Sequence, residues 1–520
     1  MVKVPEKVFK KLNKSILPQW KVSFIAALVV GLLAHFYKIT NWLPNWDSLV
    51  FRYDPQNMIA IGRWFLPVAC SFSSFYDLPF LNGLLAIIFH ALGAVCICKI
   101  LGVQKKVTAL LIGAVVVSFP TVTSVMMYNY VADGYGIAFL LATLSALYMT
   151  KEKPNYIISA VLLALSTGIY QAYVTVTIML VLFKLIDSAI YGNIKTPQLL
   201  KKTLFILLSG AAGMALYYGV LNIILSVTST TLLDYQGVNA AASLSGIDIA
   251  GSLYVIKETF INCFFDTSKG ISLYVVLNAV VFLVTVAYYL GYVIKNKVYK
   301  EPLKLITLPL LCGMLIIGAS VLALINAEVD YHSLMRMGYS VFYLFFIVIY
   351  ERGTEKEEKH TAIKRWAVLV LATTLVANQI VIANVSYHKA QMSYEKSYGV
   401  LVRIADRIEQ TENADGCEKV AVIGHLKNSE DYSVTLPPEI TGITDGYIIR
   451  ADDETVGQSV FCSAINDYCG KDYKFLAGEE KRAIQKSEQV QSMGEWPSKD
   501  CVAVIDNTIV VKLGEEDENK

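Results

Sequence analysis

The chain has 520 residues, of which 55% are hydrophobic and only 17% charged, against roughly a quarter charged in an average soluble domain. Formal net charge is +2 and mean hydropathy +0.49, so bulk charge offers nothing to nucleic acid and the composition excludes an ordinary soluble fold. Apolar runs of about 18 residues or more recur, each long enough to cross about 30 Å of hydrocarbon, and the chain reads as a polytopic α-helical membrane protein.

The N-terminus, MVKVPEKVFKKLNKSILPQWK, carries six lysines, which places residues 1–21 in the cytoplasm by the positive-inside rule. The first span is expected at 22–39. Tryptophans and prolines follow it in place of a small-residue cleavage site, so it reads as a retained helix and not a cleaved signal peptide. Segment 40–79 then faces outward, and spans follow at 80–99, 107–127 and 136–150. Residues 156–187 form one apolar run with polar LSTGIYQAY at its middle. Two half-spans hinged near Gly168–Gln171 keep Lys184, Lys195, Lys201 and Lys202 inside. Irregular backbone at such depth is tolerated only where protein buries it or a wet cavity lines it, so the hinge is expected to border a cavity. Span 203–225 leads to a long outer loop, 226–270, whose DIAGSLYVIKETFINCFF has helical apolar spacing and is expected along the interface. Further spans are expected at 271–294, 303–325, 338–350 and 366–383. On this topology the inner segments hold 24 lysines and arginines and the outer ones five before the tail. That asymmetry supports about eleven transmembrane helices spread over 22–383, N-terminus in and C-terminus out.

The tail, 384–520, is polar and charged. A helical stretch, SYEKSYGVLVRIADRIEQ, precedes the β-rich runs KVAVIG, GYIIR, VAVID and TIVVKL, a pattern that predicts a small extracytoplasmic α/β domain. Nine cysteines are present, none at zinc-site spacing. Outside the cytoplasm Cys462 with Cys469, or Cys417 with Cys501, could pair; free thiols in a small core are the alternative.

Candidate chemistry gathers where charge meets the spans. The first outer loop, NWDSLVFRYDPQNMIAIGRWF, carries Asp47, Arg52, Asp54 and Arg63 among Trp42, Trp46 and Trp64. Charge at membrane depth is expensive and marks a pathway or a site. A carboxylate there can take a proton from a hydroxyl, and a guanidinium can hold a phosphate by two parallel hydrogen bonds, which lysine cannot. Indoles can stack on a sugar ring or simply anchor in the headgroup belt. Asp133 stands in YVADGYG at a span entrance, where helix N-capping is the simpler account. Glu328, Asp330, His332 and Arg336 stand in NAEVDYHSLMRMG, and Arg336 is a phosphate candidate because an outward arginine breaks the positive-inside pattern. There is no G-x-x-x-x-G-K-[ST] loop, which argues against an ATP-driven transporter and against a cytoplasmic nucleotide-sugar enzyme.

The runs WDSLVFR, GRWFLP, FYDLPFLNGLL, VSFPTVTS, ADGYG and GIYQAY, in that order, resemble the membrane glucosyltransferases of bacterial serotype conversion, the O-antigen glucosyltransferase II family, over roughly residues 20–390. The resemblance implies a C-type glycosyltransferase that takes a hexose, here glucose, from a polyprenyl-phosphate carrier and passes it to a cell-envelope polysaccharide on the outer face of a bacterial plasma membrane. It implies no cofactor and no nucleotide, with membrane lipid around it and a lipid-linked sugar synthase and flippase upstream. The family's first-loop base maps onto Asp47, and its phosphate-binding arginine onto Arg63, with Arg52 as second choice. Trp64, Asp133 and Arg336 join the expected substrate-binding set. Many relatives carry two adjacent acidic residues in that loop; here Trp46 and Ser48 flank Asp47, so no metal is expected and Asp54 is a second candidate for the catalytic role. Two other classes stay open: a flippase or transporter of lipid-linked sugar, for which the chain shows no pair of similar halves, and a polysaccharide polymerase, which needs a lipid-pyrophosphate oligosaccharide.

Overall fold

A computed structural model describes residues 4–6, 16–50, 58–192, 196–233, 248–268, 270–327, 329, 331–352, 359–426, 438, 440–443 and 457–514. Arg52, Asp54, Glu328, Asp330 and the run GYIIR at 446–450 lie outside the described residues. Contacts divide the chain into two compact units. One comprises Met1–Thr40, Asp54–Asn384 and Leu436–Thr441; the other comprises Asn41–Tyr53, Val385–Thr435 and Gly442–Lys520.

The first unit is a helical bundle: α1 Pro18–Thr40, α2 Pro79–Leu101, α3 Lys106–Ser118, α4 Pro120–Met127, α5 Asn129–Thr150, α6 Tyr156–Ile169, α7 Val174–Tyr191, α8 Thr196–Thr228, α9 Ile249–Phe264, α10 Leu273–Lys295, α11 Pro302–Ala319, α12 Ser340–Glu351 and the start of α13 Lys359–Glu409. Local chemistry sets many of these limits. Pro79 opens α2, and Gly102, at φ 66°, closes it in the left-handed region. Pro120 forces Phe119 to an extended ψ of 136° and bends α3 against α4 by 41°.

Nine helices among the described residues are long and apolar enough to cross a membrane, ten if the bent pair α3–α4 is one span. The remaining one of the about eleven expected spans, the first half of 156–187, is α6, an apolar helix of only 14 residues, about 21 Å, short of the hydrocarbon thickness. The span expected at 366–383 is part of a helix of 51 residues, because no proline interrupts the polar sequence that follows it. In α9 the buried residues Ser252, Ile256, Thr259 and Cys263 form a stripe at helical spacing, and Asp248 caps it by accepting from the Gly251 N–H at 2.9 Å.

Burial ranks the spans. In the segments Asn129–Thr150, Gln171–Tyr191 and Ser333–Glu351, 72%, 72% and 83% of the apolar window is buried, against 28% in α8 and α10. The former are therefore the interior of the bundle. Small residues let neighbouring helices approach closely. A Cβ on Gly113 would lie 2.2 Å from the Ser23 carbonyl oxygen, and one on Gly136 would lie 3.0 Å from Ala86 Cα.

The second unit holds a four-stranded sheet in the order β2-β1-β4-β3, built from β1 Lys419–Ile423, β2 Lys474–Phe475, β3 Val502–Ile505 and β4 Thr508–Lys512. β1 runs parallel to both neighbours, and β3 and β4 form an antiparallel hairpin. Its turn, Asp506–Asn507, has both residues at positive φ, as the tight hairpin geometry requires. Strand side chains alternate faces, and here both faces are covered. Val420, Val422, Ile509 and Val511 pack with Leu401 and Ile404 of α13 and with Phe461 and Ile465 of α14 Gly457–Cys469. Ala421, Ile423 and Val510 pack with Leu476 and Val490, and Ile484 of α15 Gly478–Gln485 lies against them. All nine cysteines are free thiols, so neither suggested disulfide forms; Cys417 and Cys501 are packing residues of the first of these clusters. Burial pushes the Cys462 thiol up to about 12.

Candidate active site

The first loop does not act as one piece. Its early half belongs to the second unit. Asn45 caps the short helix Trp46–Val50, its Oδ1 accepting from the Ser48 N–H and hydroxyl at 2.9 Å each. Leu49 is 2% exposed within the sheet-facing core, and Trp42 and Trp46 pack against it. Trp42 also meets Tyr394 and Tyr468 at ring-centroid distances of 6.4 and 5.9 Å. Asp47 is half-buried in the first turn of that helix, where a carboxylate is favoured by the helix dipole.

The later half, from Met58 onward, belongs to the first unit and follows the first turns of α5. Asn129 Nδ2 donates to Asp77 Oδ1 at 2.6 Å. Asp133 lies beside the Ser73 hydroxyl and the Cys70 thiol without hydrogen-bond geometry to either; the Ser73 proton goes to the Cys70 carbonyl at 2.9 Å. Asp133 is the fifth residue of α5 and fully buried, so the N-capping account does not hold: the helix starts a turn earlier than the sequence pattern predicts. Two residues on, Tyr135 points to a different side of the helix, toward Arg63.

Arg63 is the best-defined charged group of this half. Its Nη1 donates to Tyr135 Oη at 3.0 Å and to Met58 Sδ at 3.3 Å. The guanidinium lies 4.7 Å from the centroid of Tyr170, which itself stacks on Tyr135 at 4.6 Å and 13°. A cation against an aromatic face contributes about 0.5–2 kcal/mol and fixes the plane of the fork.

Tyr170 is where the interrupted helix opens. α6 ends at Ile169, Tyr170 is extended at φ −154°, ψ 118°, and a 3₁₀ turn, Gln171–Tyr173, leads into α7. The first loop fills the break. Phe65 N–H donates to the Gly168 carbonyl at 2.8 Å. Gln171 Nε2 donates to the Ile61 carbonyl at 2.8 Å and to Tyr217 Oη at 3.3 Å, and Tyr217 donates to the Gly62 carbonyl at 3.0 Å. Gly62, at φ 83°, turns the chain so that these carbonyls face the break. Gly168 has no room for a side chain: a Cβ would lie 2.7 Å from Trp64 Cε2. The hinge expected at Gly168–Gln171 is thus present, with protein groups satisfying its backbone. Trp64 Nε1 is buried and makes no hydrogen bond among the described residues.

Arg336 sits in a 3₁₀ turn, Ser333–Tyr339, that packs against the same 171–173 turn and against α4. The Ser333 carbonyl accepts from Thr121 Oγ1 at 2.7 Å, its hydroxyl lies 2.6 Å from Ser124 Oγ, and Gly338 lies against Thr175. Arg336 Nε donates to the Tyr331 carbonyl at 2.9 Å.

The helix break therefore gathers Arg63, Trp64 and the turn that carries Arg336. Lys38, Asp77, Asn82 and Asn129 form a second polar group that the sequence reading did not single out. Lys38 is 1% exposed within electrostatic reach of Asp77, and Asn82 Nδ2 donates to the Asn129 carbonyl at 3.1 Å. A lysine inside the last turn of the first apolar span was the available signal. Tyr135, Tyr170, Gln171 and Tyr217 were also missed as holders of the arginine loop, although ADGYG and GIYQAY contain the first three.

The family model described as Glucosyl transferase GtrII matches residues 36–350, a span that takes in the first loop, the helix break and the Ser333–Tyr339 turn. No curated protein and no solved structure matches the chain. With more than half its length matched and its interior formed by apolar helices, the chain belongs to the glucosyl transferase GtrII family and is a membrane glycosyltransferase.

Proposed function

We propose that the chain moves a glucosyl residue from polyprenyl phosphate to a cell-envelope polysaccharide on the outer face of a bacterial plasma membrane. The observation that carries this reading is a guanidinium, Arg63, fixed by Tyr135 and Tyr170 at the break of a membrane helix. In the reaction the acceptor hydroxyl oxygen bonds to the anomeric carbon, and the bond from that carbon to the phosphate oxygen breaks. The electron pair stays on the phosphate, which passes from one negative charge toward two. A preorganised cation favours the more charged state, so it lowers the barrier and does more than tighten donor binding. Arg63 takes this role, with Arg52 as second choice and Arg336 assisting. The hydroxyl proton passes to Asp47, with Asp54 as the second candidate. Trp64 and Asp133 complete the substrate-binding set, Trp64 with an indole N–H that has no partner among the described residues. A lipid-linked donor also agrees with a sequence that lacks a nucleotide-binding loop. Reactions that make and flip the lipid-linked glucose would supply it.

The test is transfer of label from polyprenyl-phosphate glucose into polymer, in membranes that hold equal amounts of wild-type or Asp47→Asn protein. The expected loss in the variant is about 10²–10⁴-fold. Equal transfer by both removes Asp47 from the chemistry; no transfer by either rejects the donor or the acceptor.

A further inference from the structure

A cavity of about 500 Å³ lies between α7, α9, α10, α11 and α12, away from the helix break. Its walls are apolar: Phe260, Phe282, Val286, Leu308, Leu315 and Phe342 are representative. At the end near Lys304 it meets a second pocket of about 620 Å³, with which it shares Ile190 and Lys304. This second pocket is polar and is lined by Tyr191, Tyr292, Asn296, Lys297 and Glu301 among others. An apolar slot that opens into a polar, basic mouth matches an amphiphile and not a soluble metabolite.

The mouth is distinct from the site that holds Arg63. α7 begins beside the Gln171–Tyr173 turn and ends at Tyr191, which lines the mouth; its 18 residues span about 27 Å. The charge of the mouth selects among lipids. Among the described residues that line it, Lys297 and Lys304 face one carboxylate, Glu301, whose Oε1 is 2.9 Å from Lys304 Nζ, so one positive charge is in excess there. The Lys304 side chain is 7% exposed, a costly position for an ammonium that a second anion would relieve. Lys295 and Lys300 lie close in sequence and add to the positive field.

We infer that this is a binding site for an anionic glycerophospholipid, with its phosphodiester at Lys297 and Lys304 and an acyl chain in the slot between α10 and α11. The inference goes beyond the proposed glucosyl transfer and rests on that reading only where it assigns the donor phosphate to the Arg63 end.

The experiment uses the purified full-length protein and phosphatidylglycerol or phosphatidylcholine of identical chains, with binding read by native mass spectrometry. Phosphatidylglycerol should bind the wild type selectively. Lys297→Gln should weaken it about fivefold, and Lys297→Gln with Lys304→Gln about 25-fold. Leu315→Trp, which fills the slot and leaves the mouth unaltered, should remove binding of both lipids. Lys297 is exposed, so its single variant keeps the fold even if the double variant does not. Equal binding of the two lipids by the wild type means boundary lipid only and overturns the inference. So does unchanged binding in Lys297→Gln, or one-for-one displacement by polyprenyl phosphate, which would give the slot to the donor. Asp47→Asn protein should bind phosphatidylglycerol as the wild type does, so failure of this inference and failure of the transfer reading are separable.

Discussion

The two halves of the first loop are held by different physics. Asn45–Leu49 is fastened by apolar burial: Leu49 is 2% exposed among strand and helix side chains, and Trp42 and Trp46 lie against that core. Gly62–Phe65 is fastened by polar and aromatic contacts to an interrupted helix, through Gln171, Tyr217, Tyr135 and Tyr170. A stretch that reads as one charged, aromatic loop is thus shared between two units, and each half takes the means of attachment its unit offers. The early half should therefore respond to changes in volume, and the later half to changes in hydrogen bonding.

The sharpest probe of this contrast is Arg63→Ala. Glucosyl transfer should fall about 10²–10³-fold, the usual loss for one preorganised charge-stabilising group, while stability falls by only about 1–3 kcal/mol as the contacts with Tyr135 and Tyr170 are lost. Initial-rate measurement in membranes beside a melting curve checks both halves of the statement. A large stability loss would mean that the arginine is structural.

Leu49→Ala should show the opposite pattern. Removal of a buried leucine costs about 2–5 kcal/mol, and the loss should appear as faster amide exchange in β1, β4 and α14. Unchanged exchange there would break the assignment of the early half to the second unit.

Gly168→Ala is smaller and local. Its methyl group would press on Trp64, so overpacking of about 1–3 kcal/mol is expected, with lower transfer and a shift in tryptophan emission. An unaltered spectrum would show that the break does not hold Trp64 as described.

Tyr135→Phe is the mildest. It deletes one hydrogen bond to Arg63 and keeps the ring that stacks on Tyr170. The loss should be about 0.5–1.5 kcal/mol, or roughly two- to tenfold in transfer. A loss as large as that of Arg63→Ala would give the tyrosine hydroxyl a direct role.

Much of the scaffold is legible in the chain because hydropathy and helix breaking are local. Pro79, Gly102 and Pro120 mark element limits where they stand, and the polar break in 156–187 announces the interruption between α6 and α7. The strands at 419–423, 502–505 and 508–512 follow from short β-rich runs. Less legible are limits that no breaker marks: α5 starts at Asn129, a turn ahead of Asp133, and α13 continues far past its apolar segment.

The site is another matter. Arg63 and Trp64 could be picked out because charge and indole beside a span are conspicuous, but their partners could not. Arg63 meets Tyr135 across 72 residues and Gln171 meets the Ile61 carbonyl across 110. No periodicity encodes such pairs. Lys38 is conspicuous in an apolar helix, but nothing in the sequence ties it to Asp77, in a loop, until packing brings the two near each other. By itself the sequence determined a polytopic helical protein, the helix break and the residue types suited to phosphate and sugar, because these depend on neighbours within a few residues. Only the tertiary structure decided that the first loop is divided between two units, that its later half fills the break, and which aromatic rings hold the arginine. Those outcomes depend on which distant surfaces exclude water together, a property of the packed chain and of no single stretch.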